Sequence, residues 1–517
     1  MGNSQDYESS NSVYSGVINQ RDDVASRQDI ESQAGHENSD TDTTVQEKAA
    51  KDPNIVDWDG PDDPAKPMNW SSAKKIGAIA MVSLITMLSP LASTIIAPST
   101  PQVMKAFNST NETLGSFITS VYLLGYCFGP LVIAPVSEIY GRSITYNVCN
   151  TIFLIFSIAC AVADSEGSLI VFRLFCGIAA SCPLTLGAGT IADMVPLERR
   201  GMAMAFWIMG PLLGPAVGPL VGAFLGGAKG WRWIFWLITI IAGVVWACAL
   251  FLLRESYPFV ILKWKTQRLR KETGNQNLRS ALDTGKSPKD LFQVSIIRPL
   301  KMLFLSPVVF LVSLLMAIVY GDTYLLFTTF DRVFQGQYGF SNGVVGLVYL
   351  GSGIGSMLGL LFCGGISDRL VKRLTKRNGG SAKPEYRLPA MFAGAVIVPL
   401  GLFMYGWTAD KKVHWIVPII GVGVIGFGLF AIFMPATAYL VDIYPVYAAS
   451  VTAAATVFRS LLGALLPLAG NSMYDALGLG WGTSTLAFIS VAFIPLPLIF
   501  WRYGQRIRDS KYGQVSF

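Results

Sequence analysis

The chain has 517 residues, 52% of them hydrophobic and only 14% charged, with a mean hydropathy of +0.47. That balance belongs to a membrane protein and excludes most soluble enzymes. The net charge of +7 is unevenly spread, because residues 1–75 hold 15 Asp and Glu against 7 Lys and Arg.

In chain order, residues 1–75 come first. They are acidic and rich in Ser, Asn and Gln, with too little apolar surface to fold, which predicts a disordered tail. The tail lacks a basic stretch followed by an apolar core, so it does not read as a signal peptide. Asp6 occupies the position a myristoylation signal needs as Ser or Thr.

Twelve apolar stretches follow, each about 20 residues long, the length that crosses a bilayer as a helix. They are Ile76–Ile96, Leu114–Val136, Ile144–Ala163, Leu169–Ala192, Met202–Phe224, Trp233–Leu253, Val308–Phe330, Val344–Ile366, Leu388–Trp407, Trp415–Val441, Ala448–Ala469 and Thr483–Trp501. In lipid every backbone polar group must be paired within the protein, and stretches this long and continuous suit helices rather than barrel strands. The expectation is an all-α polytopic membrane protein with a six-helix bundle at 76–253, a cytoplasmic loop at 254–303, a second bundle at 304–503 and a short cytoplasmic tail at 504–517.

Loop charge sets orientation. With both termini placed in the cytoplasm, the inner loops and C-terminus hold 25 Lys and Arg and the outer loops 6. The sequons at Asn108 and Asn111 then fall in the first outer loop, as glycosylation requires. Trp231, Trp233 and Trp236 are expected at a membrane interface. All seven cysteines sit in apolar stretches and read as small buried residues. The two histidines, His36 and His414, have no ligand-like neighbours at helical spacing, so no metal is expected. No Gly-x-x-x-x-Gly-Lys-Ser/Thr motif is present, so no ATP site, other cofactor or nucleic-acid partner is expected.

The two halves echo each other. Ser137-Glu138-Ile139-Tyr140-Gly141-Arg142 follows the second stretch, and Ser367-Asp368-Arg369 follows the eighth. The fifth stretch carries Gly210-Pro211, Gly214-Pro215 and Gly218-Pro219 at four-residue spacing, and the eleventh carries Gly463, Pro467 and Gly470. A parallel six-plus-six repeat marks one transporter architecture. On these residues, with Trp58-Asp59-Gly60-Pro61-Asp62-Asp63-Pro64, Arg173 with Gly177, Pro384-Glu385-Tyr386-Arg387 and Val457-Phe458-Arg459-Ser460, the chain resembles the major facilitator superfamily, specifically its twelve-span drug:proton antiporters of fungi. The resemblance runs from about Asp57 to the C-terminus. One departure is Ser143, where the loop motif usually has a second base.

The resemblance implies a proton-driven exporter, in the plasma membrane and acting as a monomer, for hydrophobic or cationic organic molecules such as drugs, toxins, polyamines or secondary metabolites. A proton-coupled nutrient importer and a transporter-like nutrient sensor are the alternatives. Charge at mid-membrane is costly and usually functional, which selects Arg173, Asp322 and Arg459 for proton coupling or gating. Asp322 is expected among Tyr320, Thr323, Tyr324 and Phe327, where a buried carboxyl can carry a proton. Glu138, Gly141, Arg142, Asp193, Asp368, Arg369 and Asp442 are expected to latch the two bundles at the cytoplasmic face. The Gly-Pro run is expected where the halves meet, its small residues admitting close helix approach and its prolines bending the helix. Tyr122, Tyr126, Phe206, Trp207, Tyr324, Tyr349 and Phe433 are candidates to line an apolar substrate cavity.

Overall fold

The structure is a computed structural model describing residues 54–283, 285, 287–379 and 383–509, apart from the side chains of residues 197, 198, 288, 291, 364, 368, 446, 508 and 509. Twelve long helical segments dominate it. The first half holds α1 (Ser72–Thr94), α2 (Glu112–Tyr140), α3 (Arg142–Ala161), α4 (Glu166–Ala180 continued by Cys182–Met194), α5 (Leu197–Lys229) and α6 (Trp231–Leu252). The second holds α7 (Pro307–Phe334), α8 (Asn342–Arg377), α9 (Leu388–Asp410), α10 (Ile416–Ile443) and α11 (Ala448–Leu465).

The last apolar stretch, Ala448–Ile507, is 60 residues long, about 90 Å as straight helix against a hydrocarbon core of about 30 Å. It turns at Gly478, whose φ of +74° suits glycine, inside Gly470–Ala492. Residues before the bend complete α11; residues 479–492 with Pro495–Asp509 form α12. Twelve crossings bring the chain back to the face on which it started, called here the terminal face.

Helix association in lipid rests on close packing, not on the hydrophobic effect, and α5 shows how. Gly210, Gly214, Gly218 and Gly222 recur every fourth residue on one face and meet the backbone of α1 and its end, and Gly226 continues the row against the Ser99 side chain. A Cβ at Gly214 would stand 2.8 Å from Leu91 N, and one at Gly218 would stand 2.7 Å from Leu91 O. The glycines thus bind α5 to its own half, a correction to their expected place between the halves. The alternate residues make that contact: Ala216 meets Gly353, and Ala223 and Leu220 meet Gly346, both glycines on α8. A second ladder on α8, Gly351, Gly355 and Gly359, lies against Ile419, Gly423 and Phe427 of α10.

The tail ordered from Asn54 onward corrects the expectation of disorder to residue 75; residues 1–53 lie outside the described residues. Ile55–Val56 pairs in parallel with Arg279–Ser280 of the central loop. The Asp63 carboxylate accepts from Asp59 N at 2.9 Å and Ala65 N at 2.8 Å, while Asn69 Nδ2 donates to Pro61 O and Asp63 O. Lys265, on the loop helix Pro258–Thr273, pairs with Asp59 at 2.5 Å and approaches Asp63 at 3.8 Å. Apolar content misses such order because Asp and Asn side chains build it by bonding nearby backbone. The second loop helix, Pro288–Leu305, packs on α2, α7 and α11 and so touches both halves.

The backbone N–H groups of Asp59 and Ala65, with Lys265 adding to them, hold the Asp63 carboxyl below the usual carboxylate range. A lowered folded value means that its contribution to stability is whole above the unfolded pKa of about 3.9 and is lost as pH falls through the folded value. In detergent, Asp63→Ala is expected to lower Tm at pH 7, with the gap to wild type closing on acidification below pH ~4. Gly218→Leu forces α5 from α1, and overpacking of that kind costs roughly 1–3 kcal/mol. Its expected signature is a lower Tm and less monodisperse protein on size exclusion.

Candidate substrate chamber

Between the halves lies a cavity of about 190 Å³, far above the roughly 10–15 Å³ that one water needs. Its wall takes Pro90 from α1, Tyr126 from α2, Leu184 from α4, Pro211, Leu212, Pro215 and Ala216 from α5, and Tyr320, Thr323, Tyr324 and Phe327 from α7. Ser352, Gly353 and Ser356 of α8, Leu429, Phe430 and Phe433 of α10 and Arg459 of α11 complete it. The division of labour on α5 is plain: its glycines grip α1 while Pro211 and Pro215 face the chamber.

The α7 contribution follows helical spacing, with residues 320, 323, 324 and 327 on one stripe. Asp322 lies off that stripe. It is 1% exposed and accepts a hydrogen bond from Ser490 Oγ of α12 at 3.2 Å. Its expected setting among Tyr320 and Tyr324 is therefore corrected, and the 100° step of an α-helix is the reason.

Three of the expected aromatics, Tyr126, Tyr324 and Phe433, do line the chamber. Four do not. Tyr122 donates to Ser89 O at 3.2 Å within the first half, and Trp207 Nε1 donates to Thr86 Oγ1 at 2.9 Å. Tyr349 donates to Phe327 O at 2.6 Å and packs on Phe330. Phe206 is exposed on the outside of α5. In the first three, a polar tip found a partner inside a single half, which fixed the ring there. Trp231, the first residue of α6, is buried edge-on against Phe107. Tyr320, Phe327 and Phe430 are chamber residues that the sequence reading did not select for the cavity wall; the i, i+3, i+4 stripe on α7 was the signal for the first two.

The two mid-membrane arginines have opposite surroundings. Arg173, 1% exposed, is saturated by backbone carbonyls: Nε donates to Ile118 O at 2.5 Å, Nη2 to Ser93 O at 2.8 Å and Thr119 O at 3.4 Å, and Nη1 to Ala92 O at 3.3 Å. It ties α4 to α1 and α2, with Tyr122 and Phe235 over its flat faces. Arg459 stands in the chamber wall, its guanidinium carbon 5.2 Å from the Tyr320 ring centre and 5.4 Å from that of Phe433. Its Nε is buried with no acceptor.

The charged loop residues pair within each half. Arg142 reaches Asp193 at 3.4 Å, donates to Ser137 Oγ at 2.7 Å and lies over the Tyr257 ring at 4.6 Å. That loop tyrosine has its hydroxyl pushed up to about 12, mainly by burial. Glu138 forms no ion pair with Arg142. Gly141 has φ +103°, and a Cβ there would strike the carboxylate of Glu255. Glu255 caps α3, accepting from Arg142 N at 2.9 Å and Ser143 N at 3.1 Å. It is a residue the sequence reading missed, since nothing local pairs positions 142 and 255. Ser143, the departure from the motif, donates to Leu253 O at 2.8 Å and so ties α3 to the end of α6. In the second half Arg387 reaches Asp442 at 2.6 Å. Arg369 is exposed, and the Asp368 side chain lies outside the described residues. Among the described residues no ion pair joins the halves at the terminal face.

Toward the opposite face the halves meet closely: Gly343 against Phe224 and Gly346 against Ala223, with Gly463 against Leu123 deeper in. One buried hydroxyl pair also crosses between them, Ser93 Oγ to Tyr324 OH at 2.9 Å. On the loop at that face Asn108 and Asn111 are exposed, and Asn111 caps α2 through Thr113 N and Leu114 N. Among the described residues no group of His, Cys, Asp or Glu has the makings of a metal site.

A sequence model of the Major Facilitator Superfamily matches residues 82–467. The chain belongs to that superfamily. It is 59% identical to the MFS-type transporter penM of Penicillium rubens, over 91% of this chain and 92% of the relative. It is 48% identical to the efflux pump radE of Floropilus chiversii, over 90% and 87%. Among solved structures it shares its fold with a partially occluded, inward-open conformation of the xylose transporter XylE from E. coli, with a TM-score of 0.62, 16% identity and coverage of 84% and 98%. The protein is a multi-pass membrane transporter of the fungal MFS type and not an enzyme.

The hydrogen bonds of Arg173 make a stability prediction. Hydrogen bonds to charged groups are worth roughly 1.5–3 kcal/mol each. Arg173→Lys keeps the charge but loses the fork, so it is expected to lower Tm in detergent by several degrees, read by thermal unfolding of purified protein.

Proposed function

We propose that the protein is a proton-coupled exporter of hydrophobic small organic molecules, secondary metabolites or drugs among them, acting as a monomer in the plasma membrane with both termini cytoplasmic. The observation that carries the reading is the chamber itself: an internal space between the halves, walled mainly by aromatic and aliphatic side chains, with hydroxyls and the Arg459 guanidinium among them. Such a wall suits amphipathic organic solutes, whereas sugars and small ions need dense polar lining. The bias of 25 basic residues against 6 supports the orientation. Under it, the faces of the halves that meet closely are extracellular, and the conformation is closed to the outside.

The relatives support export, one of them being named an efflux pump. Nutrient import loses ground on the chamber wall, which offers a sugar few partners. Polycations lose ground too, since no carboxylate lines the chamber among the described residues. The proton would ride on Asp322, the buried acid of α7, which has Ser490 as its hydrogen-bond partner and no cation beside it.

Purified protein in liposomes decides the matter. Extrusion of a hydrophobic dye is expected to require an imposed pH gradient and to stop when an ionophore collapses it. Asp322→Asn is expected to cut proton-driven transport at least tenfold while leaving dye binding within about twofold, because the residue is off the chamber stripe. Transport that runs equally well with no gradient overturns the coupling, and an unchanged Asp322→Asn removes that residue from it.

A further inference from the structure

The chamber holds one charge, and it has no counter-charge. Arg459 is the single ionisable Arg, Lys, Asp or Glu in the described wall. Tyr320 and Phe433 lie against the guanidinium. Such rings attract a cation through the π face but accept nothing from its in-plane N–H donors. Nε is left buried with no acceptor, and no hydrogen bond or ion pair of any Arg459 nitrogen exists among the described residues. Arg173, in the first half, shows what a structural arginine does, with every nitrogen committed to a carbonyl. An arginine at mid-membrane is costly and needs a partner. Here no partner stands among the described residues, and the side chain lines the chamber.

We propose that Arg459 is the recognition site for an acidic group on the transported molecule, so that the chamber selects amphipathic organic anions: apolar bodies bearing one carboxylate or a comparably acidic hydroxyl. Guanidinium and carboxylate match as a planar two-point pair, and a dry, apolar chamber strengthens that pair over its value in water. Ser352, Ser356 and Thr323 supply hydroxyls in the same wall for further polar atoms of the solute. The apolar body lies against Tyr324, Phe327 and Phe430. The inference rests on the chamber being the transport site and narrows its substrate class.

Three pyrene probes with one body test it: pyrenebutyric acid, its methyl ester and the corresponding amine. Binding to the full-length protein in detergent is followed at pH 7 by quenching of tryptophan fluorescence. Wild type is expected to bind the acid at least tenfold more tightly than the ester and the amine least. Arg459→Met is expected to weaken the acid at least tenfold and the ester less than twofold, with Arg459→Lys between. An ester or amine bound as well as the acid by wild type overturns the proposal, whatever the variants do, as does failure to bind any of the three. So does a monodisperse Arg459→Met that keeps the acid preference. Counterflow of the same probes in liposomes separates the two readings. Acid preference without response to a pH gradient sinks proton coupling and leaves the anion site standing, whereas gradient-driven transport without acid preference sinks the anion site alone.

Discussion

The architecture depends on backbones that come close enough to touch. A bilayer offers no hydrophobic gain for burying leucine against leucine, so helices in it are held by dispersion contacts and short polar links. Those contacts fall off steeply with gap, and only glycine brings two helix axes near enough. α5 applies this on one face to α1, through Gly210, Gly214 and Gly218, and α8 applies it to α10 through Gly351, Gly355 and Gly359. These ladders fasten α5 to α1 in the first half and α8 to α10 in the second. The joints between halves set α5 side chains against glycines of α8, as at Ala216–Gly353 and Ala223–Gly346. The two kinds of contact, within a half and between halves, are written on adjacent faces of one helix.

Much of this was legible in the residues. Hydropathy marked the twelve spans, and the four-residue glycine period announced a close approach, though not against which neighbour. That choice is tertiary: a glycine stripe states that a backbone will come near, and only the packed bundle states whose. The same gap explains Trp207 and Tyr349, whose polar tips are satisfied by Thr86 and by the Phe327 carbonyl. The surroundings of Asp322 were misassigned for a different reason. Helical phase alone separates it from Tyr320 and Tyr324, so its position was readable and the sequence neighbourhood misled.

Arginine identity was the least legible feature of all. Arg173 and Arg459 have the same side chain inside a span, and composition treats them alike. What distinguishes them is the acceptor count around each nitrogen, complete in one and empty in the other. Such a count joins α1, α2 and α4 in one case and α7, α10 and α11 in the other, so no local window of sequence contains it.

The hydroxyl pair between Ser93 and Tyr324 carries a consequence for tempo. It is buried and spans the two halves. In this superfamily the halves rock about a central site, and each swing must part those two oxygens in a setting with little water to replace either partner. An unpaired buried hydroxyl is expensive, so the cost falls at the crossing point of the swing and not on the resting state. Parting the pair therefore adds to the barrier of the swing. The clasp between α1 and α7 is thus made by a tyrosine that also faces the chamber, so the joint and the solute share one side chain.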